Sequence, residues 1–256
     1  MLRNKLAVIT GASRSFGFEI SKEFVARGIA VILCSRSMTR AEKWASLIKG
    51  KVYPVRLDVI NAHGVAEFVR RVAERHNCID VLVNNAGYPF DRKTWNETFH
   101  EAAEEDFDLV IEVDLKGTVR LLEGVIPLII KNGRSSVAGG GGVRTNIAST
   151  PAISGNTRGT LYSIAKAGVI AITKHIALEY GEKNIVVYTF TLGNISAEAT
   201  FSSMTLTESK KAAMDNSKKW WRHPRGVAPA AASLASEDFA FATGNMIDID
   251  SGMVML

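Results

Sequence analysis

Tyr162 and Lys166 stand four residues apart in Tyr162-Ser-Ile-Ala-Lys166, a spacing that puts both side chains on one face of a helix. A phenol ordinarily ionises near pH ~10. It must ionise more easily than that to exchange protons near neutrality. An ammonium one turn away favours the phenolate and so lowers the phenol pKa. The same spacing also suits an exposed helix contact with no chemistry. Ser149 stands 13 residues before Tyr162, at the end of the apolar stretch Asn146-Ile-Ala-Ser149. Asp114 lies further upstream, in Val113-Asp-Leu-Lys-Gly117.

A second kind of chemistry is legible near the N-terminus. Thr10-Gly11-Ala12-Ser13-Arg14-Ser15-Phe16-Gly17 follows an apolar run and opens a helical pattern. Gly11 permits a tight turn, and Gly17 lets the helix pack closely on what precedes it. Free N–H groups and the positive dipole end of such a helix can receive a pyrophosphate. An ordinary turn between strand and helix would look similar; its place at the head of a strand–helix–strand array favours a dinucleotide site. The second apolar run ends in Cys34-Ser35-Arg36-Ser37. No acidic residue stands there to accept from a ribose 2′-hydroxyl. Arg36, helped by Arg14 and the Ser35 and Ser37 hydroxyls, suits a 2′-phosphate instead, because a guanidinium forks onto phosphate. The alternative is a surface arginine at a strand end. The expected cofactor is therefore NADP(H) rather than NAD(H).

The elements that must position these residues follow from apolar periodicity. Strands are expected at Leu6–Ile9, Ala30–Leu33, Val52–Leu57, Val81–Val83, Val143–Ala148, Ile185–Phe190 and Met246–Asp250. Helices are expected at Ser15–Arg27, Arg40–Ile48, Ala62–Arg75, Glu104–Ile130 as one long element, Leu161–Tyr180 and Ala228–Ala235. Strands that are apolar throughout, alternating with helices, imply a parallel sheet covered on both faces. Right-handed crossovers make this an α/β, doubly wound, Rossmann-type fold, here over 1–256 as one domain. Two stretches look irregular: the polar and aromatic Tyr88–Phe99, and the glycines 139–142, expected to form a flexible turn.

On these motifs the chain resembles the short-chain dehydrogenase/reductase family over nearly its whole length, with a leaning to its 3-oxoacyl reductases. The family carries Thr-Gly-x-x-x-Gly-x-Gly where Thr10–Gly17 stands, with Ser15 here in place of the middle glycine. Asn84-Asn85-Ala86-Gly87 matches the family tetrapeptide that closes the fourth strand, and Asp58, followed by Val59, matches the aspartate that contacts adenine. Asp58 by itself would pass for a helix N-cap. The resemblance implies that Tyr162 is the general acid in reduction and the general base in oxidation. It implies that Lys166 lowers the Tyr162 pKa and holds the nicotinamide ribose, and that Ser149 polarises the substrate carbonyl. Asp114 stands where the family has an asparagine that helps hold a water near the lysine; a carboxylate there is expected to oppose the tyrosinate. Leu192-Gly193-Asn194-Ile195 resembles Pro-Gly-x-Ile, with Gly193 and Ile195 at the nicotinamide carboxamide; Ala197 replaces the family threonine, for which Ser196 or Thr200 could substitute. The implied activity moves a hydride between NADP(H) and a small carbonyl or alcohol, with 3-oxoacyl thioesters among the substrates. The competing reading is a cofactor-binding protein with little catalysis, in which Ser15, Asp114 and Leu192 mark decay.

The family's substrate lid would span about 195–222 and end in Trp220-Trp221, which either pack or wall an apolar pocket. Lys210, Lys211, Lys218 and Lys219 would suit an acidic carrier or a phosphorylated thioester. Net charge is +5 over 256 residues with 22% charged. The basic residues are scattered, so no stripe for nucleic acid is expected. The two cysteines, Cys34 and Cys78, make no disulfide framework. No metal site is expected. No unbroken apolar run of about 18 residues suggests a membrane span, and neither a membrane partner nor a secretory leader is expected, which leaves a cytoplasmic protein. The stretches Leu121–Ile130 and Val169–Leu178 are apolar on more than one face, which implies burial on both sides and a homo-oligomer, a tetramer before a dimer.

Overall fold

The computed structural model describes residues 5–76, 78–131, 142–195, 210, 223–236, 239 and 242–254. The expectations for glycines 139–141, for the lid positions 196–209 and 211–222 with Trp220, Trp221 and lysines 211, 218 and 219, and for Ser196, Ala197 and Thr200 lie outside the described residues.

Seven strands form one parallel sheet: β1 (Leu6–Ile9), β2 (Ala30–Ser35), β3 (Val52–Arg56), β4 (Val81–Asn84), β5 (Val143–Ser149), β6 (Val186–Leu192) and β7 (Met246–Ile249). Their order is β3-β2-β1-β4-β5-β6-β7. Val8 pairs with Ile32 on one side and Leu82 on the other. Alternate residues feed two cores. Ala7, Ile9, Val31, Leu33, Val81 and Val83 face one layer, and Leu6, Val8, Ile32, Cys34 and Leu82 the other. This period of two is hidden in the sequence because both faces are apolar. The edge strand β3 departs from the expectation of apolar burial throughout: it is only partly buried. Its Pro54 is tolerated because an edge strand needs ladder donors on one side alone.

The first layer is built by α1 (Ser15–Ala26), α2 (Met38–Ala45) and α9 (Ala228–Leu234), through residues such as Phe18, Phe24, Ala41 and Ala231. The second is built by α3 (Ala62–His76), α6 (Gly117–Lys131) and α8 (Thr160–Tyr180), through Val69, Leu121, Val125 and Ile176. The chain order reverses between β1 and β4, so the crevice at their C-terminal ends is the switch point where such sheets take ligands.

Three elements differ from expectation. The long helix is not continuous: α5 (Glu104–Ile111) passes into a π-helical turn, Glu112–Lys116, before α6. The stretch from Tyr88 to Phe99 contains a short helix, α4 (Arg92–Asn96), whose Asp91 side chain accepts from Thr94 N. A four-residue helix, α7 (Pro151–Ser154), separates β5 from α8. The outer apolarity of α6 is also partly used at home, since a Cβ at Gly124 would lie 2.9 Å from Val69 Cγ2 of α3. By length and composition, Thr160–Lys183 is long and apolar enough to cross a membrane, which a search for an unbroken apolar run does not register. It buries Leu161, Ala165, Lys166, Val169, Ile170, Thr173 and Ile176 within the protein, as a core helix does.

Candidate active site

At the switch point the glycine turn is held to the end of β4. Asn85 Nδ2 donates to Thr10 O at 2.7 Å and to Gly11 O at 3.2 Å, and the Thr10 hydroxyl accepts from the backbone N–H of Asn85 and Ala86. Gly11 has φ +61°, and a Cβ there would come within 2.9 Å of Ala86 Cα; at Gly17 it would meet Asn85 Nδ2 at 2.5 Å. The close approach leaves no room for a side chain at either position. Ser15 also adopts a left-handed φ of 47°. A non-glycine residue holds that conformation under strain, so serine keeps the shape of the family glycine at a cost. Its Oγ is buried without a partner among the described residues. Phe16 packs on the first core, so what it offers a ligand is its backbone.

Arg14 and Arg36 gather where the sequence reading puts a 2′-phosphate, and a third cation, Arg40, joins them. Burial and then the Arg36 and Arg40 charges hold the Arg14 pKa below its ordinary value. Like charges gathered this way would suit an anion. The serines are more occupied than expected: Ser13 and Ser35 hydroxyls pair at 2.9 Å, and Ser37 caps α2 by accepting from Arg40 N at 3.3 Å. Arg40 lies in the first turn of α2, two residues inside its start, whereas Arg36 lies before the cap, so no spacing within one element links the two.

Asp58 lies beyond the end of β3, and its Oδ1 accepts from Ile60 N. It is not the cap of α3; Asn61 fills that place, accepting from Gly64 N at 2.9 Å. Val59 turns its side chain inward, against the bare Gly117. At the other end of the crevice Gly193 lies against Asp250, where a Cβ would come within 2.7 Å, and Ile195 is buried.

Ser149, Tyr162, Lys166 and Asp114 meet between β5, α8 and the π turn. Ser149 lies at the end of β5, with Oγ 3.3 Å from Leu192 O. The Ser149 hydroxyl is also close enough to the Tyr162 phenol to pull its pKa down. Lys166 Nζ is 5.5 Å from the Tyr162 ring centroid and donates to Ile147 O at 3.1 Å. The same ammonium lies 2.6 Å from Asp114 Oδ1. Asp114 Oδ2 accepts from Tyr88 N at 2.9 Å. The π turn aims the carboxylate at Lys166, in keeping with the habit of π bulges to sit at functional sites. Gly87 lies over the pair, 3.0 Å from Asp114 Oδ1 if it had a Cβ. Burial pushes the Tyr162 phenol above its ordinary value; Lys166 and the Ser149 hydroxyl pull it down and Asp114 pushes it up, leaving it raised. Burial pulls the Lys166 ammonium down, but Asp114 and Tyr162 push it up by more, and it too is raised.

These four residues can together deliver and recover a proton at one substrate oxygen. Among the described residues, no group of three or more His, Cys, Asp or Glu side chains is set to hold a metal ion. The residues at the glycine turn fit a dinucleotide: a cradle without side chains, a buried Ser15 hydroxyl with no partner among the described residues, and the Arg14 guanidinium.

Residues 5–208 match the family model described as short chain dehydrogenase. The chain is 31% identical to a 7alpha-hydroxysteroid dehydrogenase of Bacteroides fragilis, over 98% of this chain and 95% of that one. It is 32% identical to the 3-oxoacyl-acyl-carrier-protein reductase FabG of Thermotoga maritima, over 99% of each. A crystal structure of a protein proposed to be a gluconate dehydrogenase, from Agrobacterium tumefaciens, superposes with a TM-score of 0.91 over 100% of this chain and 98% of that one; at 20% identity it bears on the fold alone.

Proposed function

The chain belongs to the short-chain dehydrogenase family of oxidoreductases, and on that premise we propose that it is a working NADP(H)-dependent reductase of a small carbonyl compound, or the reverse dehydrogenase. The observation that carries this reading is the meeting of Ser149, Tyr162 and Lys166 at one point of the crevice. Gly11, Ser13, Arg14, Ser15, Phe16 and Gly17 would hold the pyrophosphate, and Arg36 with Arg14 and Arg40 the 2′-phosphate. Asp58 and Val59 would flank the adenine, Asn85, Ala86 and Gly87 the sheet end, and Gly193 and Ile195 the carboxamide. When bound, the nicotinamide gives or takes the hydride.

The protein's own share is the proton. In reduction the Tyr162 hydroxyl donates its proton to the carbonyl oxygen, while Ser149 donates a hydrogen bond to that oxygen. In oxidation Tyr162 takes the proton back. The Lys166 charge favours the phenolate, and its remaining N–H can hold the ribose. The likeness to FabG supports 3-oxoacyl thioesters as substrates, and the likeness to the Bacteroides enzyme supports cyclic alcohols and ketones. The proposed assembly is a homo-oligomer with a tetramer favoured, and the proposed location is the cytoplasm.

NADPH and NADH absorbance with a panel of cyclic ketones and 3-oxoacyl thioesters tests the reading. Turnover with NADPH is the expected result. The buried Lys166–Asp114 pair favours one rival, a protein that binds NADPH and turns nothing over; cofactor binding with no oxidation of NADPH by any carbonyl would establish that rival.

A further inference from the structure

The connection from β4 to α5 is fastened at several points. Tyr88 N is held by Asp114 Oδ2. Asp91 Oδ2 accepts from both the backbone N–H and the hydroxyl of Thr94, each at 2.9 Å. Lys93 Nζ pairs with Asp106 of α5 at 3.1 Å. Gly159 N, at the head of α8, donates to Trp95 O at 2.9 Å. The result of this fastening is the placement of one indole. The Trp95 ring centroid is 6.1 Å from that of Tyr162, tilted by 58°, and Phe90 stands on it at 5.7 Å. The benzo edge of the indole fills the space that a side chain at residue 159 would need: a Cβ on Gly159 would lie 2.5 Å from Trp95 Cζ3. Trp95 itself is only half-buried.

We propose that Trp95 is a specificity-determining residue, a rigid apolar wall beside Tyr162 that selects carbonyls borne on a rigid ring over flexible linear 3-oxoacyl chains. The proposal rests on the reading of Tyr162 as the proton donor. A carbonyl oxygen that reaches both Ser149 and Tyr162 carries its substituents past the tyrosine ring. Those on the side of α4 meet the indole. The backbone that bears the wall is held, because its helix is capped and its carbonyl is bonded, and the indole edge is seated against Gly159. A rigid ring gains contact with such a wall without losing rotor freedom, whereas a linear chain must be ordered to gain the same contact.

The test is steady-state kinetics of the full chain and of Trp95→Ala and Trp95→Phe with NADPH. The probes are trans-1-decalone and a 3-oxooctanoyl thioester of N-acetylcysteamine. Trp95→Ala is expected to raise KM for the decalone by about tenfold or more, the scale of a lost apolar pocket contact. The thioester KM should stay within about twofold, and Trp95→Phe should keep most of the decalone binding because an aromatic face remains. Equal changes for both probes, or a fall in kcat at constant KM, would overturn the proposal and make Trp95 a brace for Tyr162. If Trp95→Ala fails to fold by circular dichroism, Trp95→Leu, which removes the aromatic face but keeps apolar bulk, decides in its place: a weakening confined to the decalone supports the wall, and an equal or absent effect overturns it. NADPH binding without reduction of either probe by the unmodified protein would bring down the reductase reading itself, and this inference with it.

Discussion

Lys166 Nζ and Asp114 Oδ1 form an ion pair 2.6 Å apart, with the two side chains 5% and 0% exposed. Removing two charges from water is costly, and a buried pair returns that cost only when its remaining hydrogen bonds are satisfied. Ile147 O takes one further proton of the ammonium and Tyr88 N serves the second carboxylate oxygen. The pair therefore links the proton donor, through Lys166, to the backbone at the end of β4.

Asp114→Asn tests both sides of this pair. It leaves Lys166 buried without a counter-charge, so urea denaturation should show a loss of about 3 kcal/mol, the low end for breaking a buried pair, since asparagine keeps the bond from Tyr88. The folded Lys166 pKa lies above its ordinary 10.5. Its contribution is thus full below pH 10.5 and is lost as pH rises through the folded pKa; the alkaline decline should be shallower in the variant. In catalysis the variant removes a charge that pushes the Tyr162 phenol up. Oxidation needs the phenolate, so its alkaline rise should move to lower pH. A pH–rate profile unchanged by the substitution would show that Tyr162 does not feel the carboxylate.

Tyr162→Phe removes the hydroxyl and little else. Turnover should fall by about 10²–10⁴-fold, while NADPH affinity by fluorescence stays nearly intact. Lys166→Ala should damage both, because the ammonium is assigned to the phenol and to the ribose. Undiminished turnover in Tyr162→Phe would remove the mechanism.

Partial burial and the positive charges of Arg36 and Arg40 weigh on the charged Arg14 guanidinium, a cost that a bound anion would relieve. NADPH should bind at least about tenfold more tightly than NADH, which corresponds to about 1.4 kcal/mol. Arg36→Asp should erase or reverse the preference. Equal affinities in the unmodified protein, measured by titration calorimetry, would contradict the assignment of the 2′-phosphate site.

Leu109 of α5 and Ile164 and Leu178 of α8 leave 42%, 42% and 84% of their surface exposed. Helices α5 and α8 pack together, so these side chains offer apolar surface that a second copy would cover. Light scattering at micromolar concentration should report a dimer or tetramer, and charged substitutions at Leu109 and Ile164 should shift it towards monomer. A monomeric unmodified protein would count against this.

Much was legible in the chain because the information was local. Gly11 and Gly17 announce a tight strand-to-helix turn, since only residues without a Cβ fit there, and Tyr162 and Lys166 share a face because a helix repeats every 3.6 residues. Alternating apolar strands and helices determine a parallel α/β sheet, because no other layering buries strands on both faces. The tertiary structure decided what no local pattern encodes. The π turn that aims Asp114 costs no change in composition, so Glu104–Ile130 looks like one helix. Arg40 comes near enough to Arg14 to act on its charge, although the two sit on different elements, in the turn before α1 and in α2. Trp95 reaches Tyr162 across 67 residues of sequence because Gly159 leaves a gap that only folding can fill. Spacing determines which side chains share an element, whereas the distance between Trp95 and Tyr162, or between Asp114 and Lys166, depends on how separate elements pack.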